Sequence, residues 1–72
     1  MRTINFYTFR GTKLCGEIFE ERRTRFGRIS FVRMLGRFYA VMNGTSINET
    51  DDSCPIEMWA LETSRLVEEK QL

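Results

Sequence analysis

Glycines divide the first two thirds of this sequence into short stretches in which apolar and polar residues alternate. They stand at positions 11, 16, 27, 36 and 44. Alternation with a period of two is typical of strands that bury one face, and a glycine between two such runs gives the backbone the freedom that a tight turn requires. The pattern therefore predicts a series of antiparallel hairpins.

Four strands follow from the alternation, and they cover residues 4–9, 14–19, 28–34 and 37–42. Asn43-Gly44 is a strong turn signal at the end of the fourth strand, and Leu35-Gly36 predicts another tight turn. Gly16 lies inside the second strand, where it indicates a bulge or a sharp bend. Residues 20–27 are predicted to be a polar connection, and residues 45–53 a polar loop.

The last segment, residues 54–72, fits two structures. A helix would have Pro55 in its first turn and would bury a stripe that includes Trp59. However, Met58 and Leu61 fall off that stripe, and acidic residues at the C-terminal end of a helix oppose its dipole. We therefore favour a different structure. It has a short strand at residues 56–59, one turn of 3₁₀ helix at residues 61–64 and a final strand at residues 65–69.

The pattern FRGTKLCGEIFEE…GRISFVRMLGRFYAVMNG…IEMWALETSRLVEE resembles that of small SH3-like barrels. Such barrels have a glycine in the first hairpin, a glycine within the second strand and a hydrophobic turn before a final Leu-Val strand. The matching positions are Gly11, Gly16, Trp59, Leu61, Leu66 and Val67. The resemblance implies a mainly β fold, a curved sheet or barrel of four to five antiparallel strands. The alternative is an α+β fold, a four-stranded antiparallel sheet with a C-terminal helix over residues 55–70.

Composition restricts the class of protein. A chain of 72 residues, 42% of them apolar, is expected to form one domain with one core. The apolar cluster at residues 38–42 is far shorter than the roughly 18–20 residues of a membrane span, and the first residues do not form a signal peptide, so we expect a cytoplasmic protein without membrane contact. Cys15 and Cys54 are expected to be free thiols, with Cys15 packed inside the fold.

Catalysis has little support in the sequence. The chain has no histidine, so the commonest general base is missing, and two cysteines cannot form a four-ligand zinc site. We expect no cofactor, no metal and no enzymatic activity. Asp51 and Asp52 are interpreted as solvated acids of a loop rather than as a magnesium site.

Charge is unevenly distributed along the chain. Residues 22–37 contain six arginines and no acids, whereas residues 49–69 contain seven acids and one base, Arg65. Arginines contact phosphates, and interleaved aromatic side chains can stack on bases. Phe26 and Tyr39 are the aromatics expected to be exposed, with Phe31 and Phe38 in the core. The candidate binding surface comprises Arg22, Arg23, Arg25, Phe26, Arg28, Arg33, Arg37 and Tyr39. The alternative is that these arginines are solvated and pair with Glu17, Glu20 and Glu21.

The acidic last third is a second candidate interface. It could dock onto a basic partner or onto the arginine face of another copy, which would give a homodimer. Trp59 could be an interface residue, because tryptophan is enriched at binding hot spots, or it could belong to the core. The candidate residues are Asp51, Asp52, Met58 and Trp59.

Two functions remain. We favour a protein-interaction module, because the seven acids would repel a phosphate backbone. In composition the chain resembles small accessory proteins of bacteriophages, which implies a host protein, or a protein of its own complex, as the partner that it modulates or inhibits. The alternative is a small barrel that binds the phosphate backbone of DNA or RNA.

Overall fold

The computed structural model describes residues 2–70 and consists of five strands and one helix. The mainly β class, with five strands, is confirmed. The elements are β1 (Arg2–Tyr7), β2 (Lys13–Thr24), β3 (Gly27–Met34), β4 (Arg37–Met42), β5 (Thr45–Asp51) and α1 (Ile56–Glu68).

The sheet closes on itself. Each strand pairs with the next one in antiparallel fashion, and β5 meets β1 in parallel at Tyr7 and Thr45. The backbone N–H of Tyr7 donates to the carbonyl of Gly44 over 2.9 Å at this junction. Closure gives the outer strands of the meander a partner and so removes the open edges that a flat sheet would expose.

Strands β3 and β4 are buried on both faces. On one face, Val32 and Tyr39 pack with Phe6 and neighbouring side chains of β1 and β2, which fill the barrel interior. On the other face, Phe31 and Ala40 pack beneath α1. This second apolar cluster lies between the sheet and α1. It forms because Phe38, Ile29 and their neighbours make the outer face of the sheet apolar, and the helix removes that face from water.

Residues 56–68 form a helix, so the favoured prediction of a strand, a 3₁₀ turn and a final strand is wrong. Its buried positions are Trp59, Ala60, Thr63 and Val67, which lie on one stripe against the outer face of the sheet. The residues that matched the closing turn and final strand of an SH3-like barrel therefore lie in a helix. Of the predicted segment, residues 71–72 lie outside the described residues.

Two predicted connections are also strands. Strand β2 continues to Thr24, so only Arg25 and Phe26 separate it from β3, and Arg22 and Arg23 lie on a strand rather than on a connection. The polar run after Gly44 is β5, which pairs with β4 along its length. The charged and polar side chains of these two segments do not give the alternating pattern that predicts a strand. The segments form strands all the same, because backbone pairing with a neighbour does not require an apolar side chain.

Gly16 is the bend that the sequence indicated. A Cβ atom at this position would overlap Cγ1 of Val32 and would lie 2.9 Å from the carbonyl oxygen of Arg33. The register of β2 against β3 then shifts between Ile18 and Glu20. The absence of a side chain at Gly16 and the bulge together let β2 curve over the barrel interior.

The two cysteines are free thiols, as predicted, but Cys15 is exposed rather than packed. It lies on the face of β2 that points away from Leu14 and Gly16, since neighbouring residues of a strand face opposite sides. In residues 2–70 the structure contains no helix with the length and apolar character to cross a membrane.

Candidate functional site

The six arginines of the basic block do not form one surface. Five of them make ion pairs with carboxylates of this chain, and two of those carboxylates, Glu49 and Glu68, belong to the acidic last third. The pairs are Arg22–Glu20, Arg25–Glu68, Arg28–Glu21, Arg33–Glu17 and Arg37–Glu49. The side chains are partly exposed, so water screens these pairs and each of them contributes little to stability.

The block is instead divided between two ends of the barrel. Arg23, Arg25 and Arg28 line a cavity of about 560 Å³ at the turn between β2 and β3, which Asn43 also lines. We call these four residues the hairpin-end site. Arg33 lies near the far end of β3, next to Glu17, and Arg22 lies beside α1.

Phe26 is exposed at this turn, as predicted, but its ring is already engaged. The guanidinium carbon of Arg25 lies 5.4 Å from the ring centroid, and Nζ of Lys70 lies 5.1 Å from it. Both distances are within the range of cation–π attraction. With two cations at its ring and 41% of the residue exposed, Phe26 offers a base less aromatic surface than Phe9, which carries one cation and is 66% exposed.

Arg37 and Tyr39 lie at the other end of the barrel, where two turns enclose a cavity of about 400 Å³. One turn joins β1 to β2 and carries Phe9 and Arg10, and the other joins β3 to β4 and carries Leu35. Tyr39 is buried, contrary to the prediction, and with half-buried Leu14 and Met34 it lines the cavity. We call this the rim site; its residues are Phe9, Arg10, Leu14, Met34, Leu35, Arg37, Tyr39 and Glu49.

Leu35 has an unusual conformation. Its φ angle is 48° and that of Gly36 is 75°, as a two-residue turn of type I′ requires, and its side chain is 91% exposed. The turn between β4 and β5 has the same geometry, with φ angles of 53° and 79°, and is occupied by the favoured pair Asn43-Gly44. A left-handed conformation costs a non-glycine residue roughly 1–2 kcal/mol, and leucine has no polar group to offset that cost.

Phe9 is the second exposed apolar side chain of the rim, and it is 66% exposed. The guanidinium of Arg10 lies over its ring at 5.3 Å from the centroid. Hydrogen bonds from the N–H of Thr8 to the carbonyl of Thr12 and from the N–H of Gly11 to the carbonyl of Thr8, both 2.8 Å, close this turn. Phe9 is thus presented by a well-defined turn.

The charges of the rim are mainly positive. In residues 2–70, Arg10 makes no ion pair, and Nη1 of Arg37 is 4.0 Å from Oε1 of Glu49, which is too far for a hydrogen bond. The rim therefore combines two exposed apolar groups with two guanidinium groups whose hydrogen-bonding capacity is largely available.

The second candidate interface is dispersed. Trp59 is buried in the core between α1 and the sheet, 5.6 Å from the ring of Phe31, and is not accessible to a partner. Met58 is exposed on the outer face of α1. Asp51 and Asp52 are exposed after β5, and hydrogen bonds from the hydroxyl and N–H of Ser53 lower the pKa of Asp51.

Phe9, Arg10 and Leu35 were not among the predicted site residues. The sequence predicts Phe9 in a strand and Leu35 in a turn, and neither prediction identifies a binding residue. One available signal was a leucine at a turn position that favours asparagine or glycine.

In the part of the chain that the structure describes, no three His, Cys, Asp or Glu residues come together in a group that could hold a metal ion. No protein-family model, curated protein or solved structure matches this chain.

Proposed function

We propose that this chain is a non-enzymatic protein-interaction module that binds a partner protein through the rim site. The observation that carries the proposal is Leu35, which is almost fully exposed in a left-handed conformation that disfavours leucine. Backbone strain at an exposed position is characteristic of functional sites, where a binding role offsets its cost. An asparagine would have suited the turn better, as Asn43 does in the next hairpin of the same chain. A role in binding accounts for the leucine.

The rim site has the composition of a recognition surface. Phe9 and Leu35 lie on either side of a cavity whose lining includes Tyr39, Met34 and Leu14. A partner side chain that entered this cavity would be removed from water together with both exposed groups. Burial of apolar surface contributes about 25 cal/mol per Å². Hot-spot residues cluster in well-packed, desolvated pockets and are enriched in tyrosine and arginine, and both residue types line this cavity.

The charges of the rim specify the partner. Arg10 and Arg37 provide donors beside the apolar groups, with one carboxylate, Glu49, close to Arg37. We infer that the partner presents an apolar side chain next to a carboxylate. Arginine forms bidentate hydrogen bonds with carboxylates, and this geometry sets the orientation of the bound segment.

A pull-down from bacterial lysate, quantified by mass spectrometry, tests the proposal, since the compositional resemblance is to bacteriophage accessory proteins. Wild-type protein is compared with Leu35→Asn and Phe9→Ser. The matched control is Leu61→Asn, which removes another exposed leucine, on α1 and away from the rim. A protein recovered by wild type and by Leu61→Asn, but lost from both rim variants, is expected.

The recovered protein is then purified, and its affinity is measured by calorimetry. Each rim variant is expected to bind at least about tenfold more weakly, which corresponds to about 1.4 kcal/mol. Recovery of the same proteins by wild type and rim variants, or equal affinities, would refute a role of the rim in binding.

A further inference from the structure

The hairpin-end site contains two arginines that face each other. Arg23 of β2 and Arg28 of β3 are direct cross-strand partners. Like charges directly opposite each other in an antiparallel pair destabilise the sheet. An anion between the two guanidinium groups would convert this repulsion into attraction.

The hydrogen-bonding capacity of these two arginines is largely available. Among residues 2–70, Arg23 makes no ion pair, and Nη1 of Arg28 is 3.8 Å from Oε2 of Glu21, beyond hydrogen-bond distance. Glu21 is instead bound by both Nη atoms of Arg2, at 3.0 and 2.8 Å. The carboxylate that lies nearest to Arg28 is therefore already held by another arginine.

Arg25 has a different role in the same site. Its backbone N–H and its Nε both donate to the carboxylate of Glu68 over 2.8 Å, and Nη2 donates to the Glu68 carbonyl over 3.2 Å. These bonds attach the turn to the C-terminal end of α1. The turn is also closed by the hydroxyl of Thr24, which donates to the carbonyl of Gly27 over 2.8 Å. The arginines of the site are thus presented by a fixed backbone.

A second cavity adjoins the first and shares Arg23 and Thr24 with it. It is lined further by Arg22, by Arg65 of α1 and by Glu68, whose carboxylate accepts from Arg25. Arg22 and Arg65 pair with Glu20 and Glu69, but arginines outnumber carboxylates in the lining of both cavities. Arg23 therefore lies between two concave regions of net positive charge, an arrangement that suits a polymer with repeated anionic groups better than a single small ion. Arginine forks match the geometry of phosphate oxygens.

From this geometry we propose that the hairpin-end site binds the phosphate groups of a nucleic-acid backbone. The proposal is independent of the rim site, which lies at other turns of the barrel. Because the ring of Phe26 is engaged by Arg25 and Lys70, the contacts are to phosphates rather than to stacked bases, and binding has little sequence preference.

Fluorescence anisotropy, measured over a series of salt concentrations, tests the proposal. The labelled ligands are single-stranded DNA, single-stranded RNA and duplex DNA, each about 20 nucleotides long. Affinity for at least one of them is expected to fall as salt rises, because bound phosphates release counterions. Arg23→Gln and Arg28→Gln are each expected to weaken binding several-fold at low salt and to reduce the slope of log K against log salt by about one. Arg33→Gln, at an arginine that pairs with Glu17 over 3.1 Å, is the matched control and is expected to bind like wild type.

Asn43→Asp separates binding from folding. An aspartate tolerates the left-handed conformation of Asn43 and places a negative charge in the cavity with Arg23 and Arg28. This variant is expected to unfold at a higher temperature than wild type and yet to bind nucleic acid more weakly. A variant that merely disturbed the fold would lose stability as well.

Two results would overturn the proposal. One is the absence of salt-dependent binding to any of the three nucleic acids, or binding that Arg23→Gln and Arg28→Gln leave unchanged. The other is binding of inorganic phosphate alone, seen as shifts in the NMR signals of Arg23 and Arg28, without binding of a nucleic acid; the site would then serve a free anion.

Discussion

The side-chain amide of Asn48 donates a hydrogen bond to the hydroxyl of Thr63 over 3.0 Å and thereby joins β5 to α1. Thr63 is completely buried among the apolar residues that hold the helix on the sheet. A buried polar group that keeps its partner costs little, whereas one that loses it costs its full desolvation free energy. This bond therefore selects the position of the helix along β5.

We expect Thr63→Val to lower the free energy of unfolding by about 1–3 kcal/mol, because it preserves the shape of the side chain but leaves the amide of Asn48 without its acceptor. Urea denaturation followed by circular dichroism measures the change. The double variant Asn48→Ala/Thr63→Val is the control and should be less destabilised than the sum of its parts. Additive effects would show that the two side chains do not interact.

Gly16→Ala is expected to destabilise the barrel by about 1–3 kcal/mol, because its Cβ would overlap the side chain of Val32 and crowd the carbonyl of Arg33. Thermal denaturation of Gly16→Ala, Val32→Ala and the double variant measures the coupling. The double variant should lose less stability than the two single losses combined, since the shortened Val32 makes room for the new methyl group. A neutral Gly16→Ala variant would contradict the close approach of β2 to β3.

Leu35→Asn is expected to stabilise the fold by about 1 kcal/mol, because asparagine tolerates the left-handed conformation that leucine disfavours. The reciprocal variant, Asn43→Leu, places leucine in the same conformation at the other hairpin and should lose a similar amount. Chemical denaturation of both variants provides the comparison. If Leu35→Asn were also destabilising, Leu35 would have a structural role, and the argument from strain at the rim would fail.

The pKa of the Glu21 carboxyl is lower than the ordinary glutamate value. Hydrogen bonds from Arg2 are the main cause of its lowered pKa, and the charges of Arg2 and Arg28 add to it. A carboxylate with a lowered pKa in the folded state stabilises the protein fully above the ordinary value of about 4.3, and this contribution is lost as the pH falls through the folded pKa. We therefore expect the free energy of unfolding to decrease as the pH falls below the ordinary glutamate pKa of about 4.3.

An NMR titration of the Glu21 carboxyl carbon measures this pKa directly. Arg2→Gln should raise the midpoint toward the ordinary value, and Arg28→Gln should raise it less, since Arg28 is farther away and forms no hydrogen bond with it. A larger effect of Arg28→Gln would mean that Glu21 belongs to the hairpin-end site and occupies it.

Short-range patterns predicted much of the first two thirds of the fold. Alternation and turn glycines placed β3 and β4 within one residue of their observed bounds and identified both turns that adjoin β4. The same rules failed for β5 and for the second half of β2, because polar residues such as Glu49 and Arg23 become strands only when a neighbouring backbone pairs with them. That partner is not visible in a window of a few residues.

By itself, the sequence determined that the first two thirds of this chain form β-hairpins, since strand periodicity and turn residues are local properties. Only the tertiary structure decided that residues 56–68 are helical, because the apolar outer face of β3 and β4 buries Trp59 and Val67 together. The tertiary structure also decided which arginines have a carboxylate partner. Glu68 binds Arg25 across 43 positions of sequence, and Arg23 is left opposite Arg28. The charge that surrounds a guanidinium group depends on distances in space, which folding sets and which the order of residues does not record.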